Sequence, residues 1–116
     1  MPGIFGVIRK RQSSVEENGK LIEGMLKRLS HTDSYKSQIY AEDWFALGHI
    51  GIPYAGEKRL HVDNKFQMAS SFSGFIYGWK DMGSELSSST ADKATRLIDI
   101  YVKYGIKLPE KIDGSF

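Results

Sequence analysis

Apolar residues gather first at positions 3–8, where Gly-Ile-Phe-Gly-Val-Ile runs into the charged Arg9-Lys10-Arg11. A short run of β-formers that stops at three charges predicts a buried strand. The pattern then changes period. Leu21, Ile22, Met25, Leu26 and Leu29 recur at helical spacing behind Ser14-Val15-Glu16-Glu17, a sequence with capping-box spacing. Gly19 and Gly24 interrupt that helix and weaken it by up to about 1 kcal/mol each relative to alanine. Two strand-like pieces follow at residues 37–40 and 44–50, joined by Ala41-Glu42-Asp43, with Pro53 closing the second. Residues 65–71 and 72–79 read as one long strand or a tight pair. Residues 83–89 are small and polar and predict a loop. Ser89-Thr90-Ala91-Asp92 is a second capping signature, opening a helix with Ala94, Leu97, Ile98, Tyr101 and Val102 on its apolar stripe. Gly105 is placed to stop it. The closing Asp113-Gly114-Ser115-Phe116 reads as a strand being entered. Strand, helix, strands, helix in that order predict an α+β domain in which helices cover sheets.

Composition narrows the class without naming a chemistry. The chain has 116 residues, 41% hydrophobic and 26% charged, which suits one folded domain and excludes a disordered tail. Sixteen basic residues against fourteen acidic give a net charge of +2. The only basic cluster is Arg9-Lys10-Arg11, read as a solvated loop, so neither a nucleic-acid nor a membrane partner is expected. The chain contains no cysteine, which excludes a disulfide framework and thiolate metal sites and suits a cytoplasmic protein. His31, His49 and His61 lack the close pairing of a metal motif and are read as surface or packing residues. Trp44, Trp79 and the tyrosines are read as core or edge residues.

Five segments carry a resemblance to a known family. They are Gly-Ile-Phe-Gly-Val-Ile at 3–8, Leu-Lys-Arg-Leu-Ser-His at 26–31 and Leu-Gly-His-Ile-Gly-Ile at 47–52. Ser-Gly-Phe-Ile-Tyr-Gly at 73–78 is the fourth, and residues 97–105 followed by Ile-Asp-Gly-Ser-Phe at 112–116 are the fifth. In this order the chain resembles the N-terminal glutaminase domain, a class II glutamine amidotransferase, of the asparagine synthetase and β-lactam synthetase family. The resemblance implies a four-layer αββα sandwich of the N-terminal-nucleophile hydrolase type. It also implies that residues 1–116 are the N-terminal part of one such domain, incomplete at its C-terminus.

The resemblance further implies which positions held the site, and at all but Gly74 the family's residue is replaced. The family nucleophile is a cysteine thiol whose own α-amine is the base; an α-amine titrates at about 7.7–8.0, close to working pH. Pro2 stands in that place and offers no side-chain nucleophile. Loss of a covalent nucleophile costs on the order of a million-fold in rate. Gly51 replaces the arginine that clamps the substrate carboxylate, removing a bidentate charged pair. Ser73 replaces the oxyanion-hole asparagine, while Gly74 keeps the glycine whose N–H can donate; one such donor is worth roughly 2.7–4 kcal/mol. Phe75 replaces an acidic residue. Lys93 aligns with the aspartate that receives the substrate ammonium, and two like charges 4 Å apart repel by about 4 kcal/mol at an effective dielectric of 20. Asp92 and Asp99 lie close by in a soft register.

The expectation is a scaffold kept without its glutaminase site: no catalytic residue, no metal and no cofactor on this chain. The family activity is glutamine-hydrolysing asparagine synthesis. ATP and Mg belong to an associated synthetase domain, fused or separate, which this module would support by packing or docking. Self-association through an open sheet edge is the other expected contact. Two rival readings stand beside it. One is a free-standing binding module that reuses the vestigial pocket for a small ligand or a protein. The other is an N-terminal-proline tautomerase, which shares only Met1-Pro2 ahead of a strand.

Overall fold

In chain order the elements are β1 (Gly3–Ile8), α1 (Val15–Leu29), β2 (Lys36–Ala41), β3 (Phe45–Gly51), β4 (Leu60–Asp63), β5 (Met68–Ser71), β6 (Phe75–Trp79), α2 (Lys93–Tyr104), a 3₁₀ helix (Gly105–Lys111) and β7 (Ile112–Ser115). This computed structural model describes residues 3–52, 58–80 and 92–116. The readings made above for Pro2, Pro53, residues 83–89 and Ser89 to Ala91 fall outside the described residues. The architecture is α+β, with seven strands in small antiparallel sheets and two α-helices among the described residues.

The first sheet has the order β1-β3-β2. Its register sets Phe5 and Ile39 opposite Gly48, and Val7 and Ala41 opposite Ala46. Residues directly opposite share a face. That face carries Phe5, Ala46 and Ile50, which bury themselves with Ile22 of α1; Val7, Met25, Leu26, Tyr35 and Ala41 pack around them. The ring of Phe5 occupies the space over Gly48, where a Cβ would come within 2.6 Å of its Cε2 and closer still to its Cζ.

Helix α1 starts where its cap predicts. Ser14 Oγ accepts from the Glu17 N–H at 3.0 Å, and Glu16 and Glu17 meet the positive end of the helix dipole. The stripe that faces the sheet is not quite the expected one. Leu21 and Leu29 are exposed, and Asn18 joins Ile22 as a fully buried position. Asn18 Nδ2 donates to the Glu42 carbonyl at 2.6 Å, tying α1 to the β2–β3 turn. A polar residue on the buried face breaks the apolar period, so periodicity alone points past it.

Residues 65–79 form neither one long strand nor a pair with each other. β5 pairs with β4 and β6 pairs with β7. Two local features divide the segment. Asp63 Oδ1 accepts from the Phe66 N–H at 3.0 Å and Gln67 takes φ 52°, which closes a hairpin ahead of β5. Gly74 takes φ 130°, a conformation open to glycine, and redirects the chain before β6. β4 is only four residues, Leu-His-Val-Asp, whose apolar-polar alternation is brief.

Helix α2 lies on β4 and β5, and β5 meets β3 of the first sheet. Ser70 Oγ donates to the Ala94 carbonyl at 2.5 Å. Ala94 and Ile98 are buried as the stripe predicts, whereas Tyr101 and Val102 are about half exposed. Ile100 is buried instead, so the helix is covered on a second side, about 200° round from Ile98. Gly105 caps α2 with its N–H on the Tyr101 carbonyl, but the chain continues helically as a 3₁₀ turn through Pro109. The closing segment is a strand, β7, whose Ser115 pairs with Phe75. Among the described residues no helix is long and apolar enough to cross a membrane.

Candidate functional site

The positions singled out by the family resemblance sit in three places. Gly51 ends β3 opposite Lys36, and the neighbouring pair, Ile50 with Gly3, brings the start of β1 to this same end of the sheet. Ser73, Gly74 and Phe75 form the entry to β6. There a Cβ on Gly74 would collide with the Ser115 carbonyl and lie 2.7 Å from Phe116 Cα, so the end of β7 closes over this glycine. Phe75 itself is 54% exposed. Lys93 opens α2, and its Nζ stands 5.7 Å from the centre of the Phe72 ring. The Arg59 guanidinium approaches the same ring at 5.9 Å. Asp92 is the N-cap of α2, but its side chain makes no capping bond and its Oδ1 instead accepts from the Lys58 N–H at 3.3 Å.

Arg59 also acts on His49, which is buried on the face of the first sheet opposite α1. Burial holds the imidazole below its ordinary value, and the Arg59 charge lowers it further. Gln38 is cross-strand from His49, and its Oε1 accepts from the N–H groups of Arg59 and Leu60 at 3.1 and 3.0 Å. These bonds fasten the β4–β5 hairpin to the sheet. His31 is exposed, and among the described residues no three His, Asp or Glu side chains form a group that could hold a metal ion.

Three cavities lie elsewhere. One, of about 510 Å³, is an apolar groove between α2 and β5, lined by Phe45, Met68, Leu97, Ile98, Tyr101 and Leu108 among others. A second, of about 400 Å³, follows the Arg9-Lys10-Arg11 loop, where Arg9 donates to Ser13 Oγ at 3.2 Å and approaches Glu17 at 3.8 Å. The hydrogen bond from Ser13 is the main cause that holds the Glu17 carboxyl below its ordinary range. The third, of about 410 Å³, lies between the β2–β3 turn and the β4–β5 hairpin turn. Its walls include Tyr40, Trp44 and Phe45, together with Glu42, Asp43 and Asp63. The Tyr40 hydroxyl donates to Glu42 Oε1, a bond that, with burial, pushes the phenol above its ordinary value. Gln12 Nε2 donates to Asp43 Oδ2 at 2.6 Å. Trp44, read from sequence as a core or edge residue, is 48% exposed beside this cavity. The signal for it in the sequence is the acid-acid-aromatic run Glu42-Asp43-Trp44 inside a two-strand connection.

The chain matches no protein-family model, no curated protein and no solved structure.

Proposed function

We propose that this chain is a non-catalytic, glutaminase-like module of the asparagine synthetase type, and that it serves as a packing or docking platform for an ATP-dependent, amide-forming synthetase domain in the same polypeptide or in a partner. The observation that carries this reading is the pairing of the segments on which the resemblance rests. Segments 3–8 and 47–52 are the adjacent strands β1 and β3, and segments 73–78 and 112–116 supply the adjacent strands β6 and β7. The β1–β3 register also brings Gly3, the first residue of β1, to the end of the sheet where Gly51 lies. A nucleophile and a substrate clamp that act on one glutamine must lie that close. The succession of α1, the first sheet, the β4–β5 hairpin and α2 supports the αββα reading in the same way.

On this reading the scaffold persists while its chemistry does not: glycine at position 51, serine at 73 and lysine at 93 each withdraw an interaction that free glutamine needs. ATP and Mg act only in the synthetase domain. The test has two parts. The purified protein incubated with glutamine should release ammonia no faster than a boiled control; turnover above that control overturns the non-catalytic assignment. Reading the native coding frame past the codon for Phe116 should reveal an ATP-binding synthetase domain, or else a separate synthetase should co-purify with the chain. A protein with neither has no domain to support, and the docking role falls.

A further inference from the structure

We propose that the cavity between the β2–β3 turn and the β4–β5 hairpin turn binds a small organic cation, a quaternary or methylated ammonium group, against Trp44, Tyr40 and Phe45. The site is independent of the glutaminase-like pocket, since Gly51, Ser73, Gly74, Phe75 and Lys93 do not line it. Its volume of about 410 Å³ lies within the usual range of small-ligand sites.

Three aromatic side chains form part of its wall, with the Tyr40 and Phe45 rings 6.0 Å apart and tilted by 54° to each other. The negative face of an aromatic ring attracts a cation within about 6 Å. The same wall carries Glu42, Asp43 and Asp63, and among the described residues no Lys, Arg or His lines it. Each carboxylate is already held by one donor of the protein: the Tyr40 hydroxyl, Gln12 Nε2 and the Phe66 N–H respectively. These bonds hold the carboxylates in place, and the preference for a diffuse cation comes from the rings, which offer a guest no hydrogen-bond acceptor of the carboxylate kind. A methylated ammonium is such a cation, because its charge is spread over methyl groups that also gain from contact with rings. Trp44 is about half exposed, so part of its indole is open to a guest.

The test uses choline and its neutral isostere 3,3-dimethyl-1-butanol, titrated into the isotopically labelled full chain while the Trp44 indole N–H signal is followed by NMR. Choline should shift that signal saturably and bind at least about tenfold more tightly than the isostere. Trp44→Leu, followed through the backbone N–H signals of the lining residues Val62 and Met68, should weaken choline binding by a similar factor and leave the spectrum of the β1-β3-β2 sheet in place. Asp43→Asn should weaken choline while leaving the isostere unchanged. Equal binding of the two probes overturns the proposal and leaves an unselective apolar cleft. Failure of choline to shift Trp44 up to its solubility limit overturns it as well. So does calcium ion shifting the same signals where choline does not, which would make the carboxylates a plain metal-ion site.

Discussion

Phe5 and Gly48 face each other across β1 and β3, and the aromatic ring lies where a side chain on residue 48 would stand. The absence of a Cβ at Gly48 lets the ring lie down over the sheet and reach the core formed with Ile22, Ala46 and Ile50. Gly48→Ala should therefore destabilise the fold by about 1–3 kcal/mol through overpacking. Urea denaturation of the two proteins measures it. Trimming the ring with Phe5→Leu on the Gly48→Ala background should recover part of the loss, because residues in contact are not additive. A Gly48→Ala protein as stable as the parent would mean the ring has another place to go.

Ser14→Ala removes the acceptor that caps α1 and should cost about 0.5–2 kcal/mol. Ser13→Ala, one residue earlier, touches the exposed Glu17 and the half-buried Arg9 and should cost less. The same denaturation series ranks the two. A reversed order would assign the start of α1 to the Ser13–Glu17 contact.

Asn18→Leu tests the polar tie between α1 and the β2–β3 turn. Asn18 is fully buried, and its Nδ2 donates to the Glu42 carbonyl. Leucine is of similar size but leaves that carbonyl without its donor, a loss of about 1–3 kcal/mol. Part of this is returned, because Asn18 Oδ1 is buried and has no donor partner of its own. A net loss in the lower half of the range is expected. A gain in stability would show that the orphaned oxygen outweighs the bond.

His49 gives the fold a pH dependence of definite sign. Its folded value lies below the unfolded value of about 6.5, so between the two the unfolded chain binds the extra proton. Stability from this group is complete above about pH 7 and is lost as pH falls below about 6.5 towards the folded value. Parent and His49→Gln should thus have stability–pH profiles that diverge in that window, the variant's being flatter. Parallel profiles would show that burial of His49 does not resist its charging.

Much of the first half of the chain was legible because its signals are local and strong. The run 3–8 ends at charges, Ser14 and Glu17 stand at cap spacing, and the pieces near 37–40 and 44–50 are separated by a polar turn. The second half was harder for physical reasons. Gln67 adopts a left-handed conformation that its side chain does not advertise, and the alternation Leu-His-Val-Asp in β4 spans only four residues. β6 and β7 are partners from far apart in sequence, so neither announces the other. At the candidate sites, Lys93 and Gly51 can be named by alignment with a family pattern. The aromatic cavity cannot, since it forms only when the turn at Glu42-Asp43-Trp44 meets the turn at Asp63-Asn64.

The side-chain carbonyl of Gln38 takes two consecutive N–H groups, those of Arg59 and Leu60, that stand at the entrance to the hairpin. One amide thus does the work of a missing strand, and it does so at the seam between two otherwise separate sheets. Those two backbone protons form a natural gauge in a hydrogen-exchange experiment. If they exchange with the protons inside the β1-β3-β2 ladder, sheet and hairpin open as one unit. If they exchange first, the seam parts while both pieces are still folded, and the Gln38 amide marks the joint at which the two plates come apart.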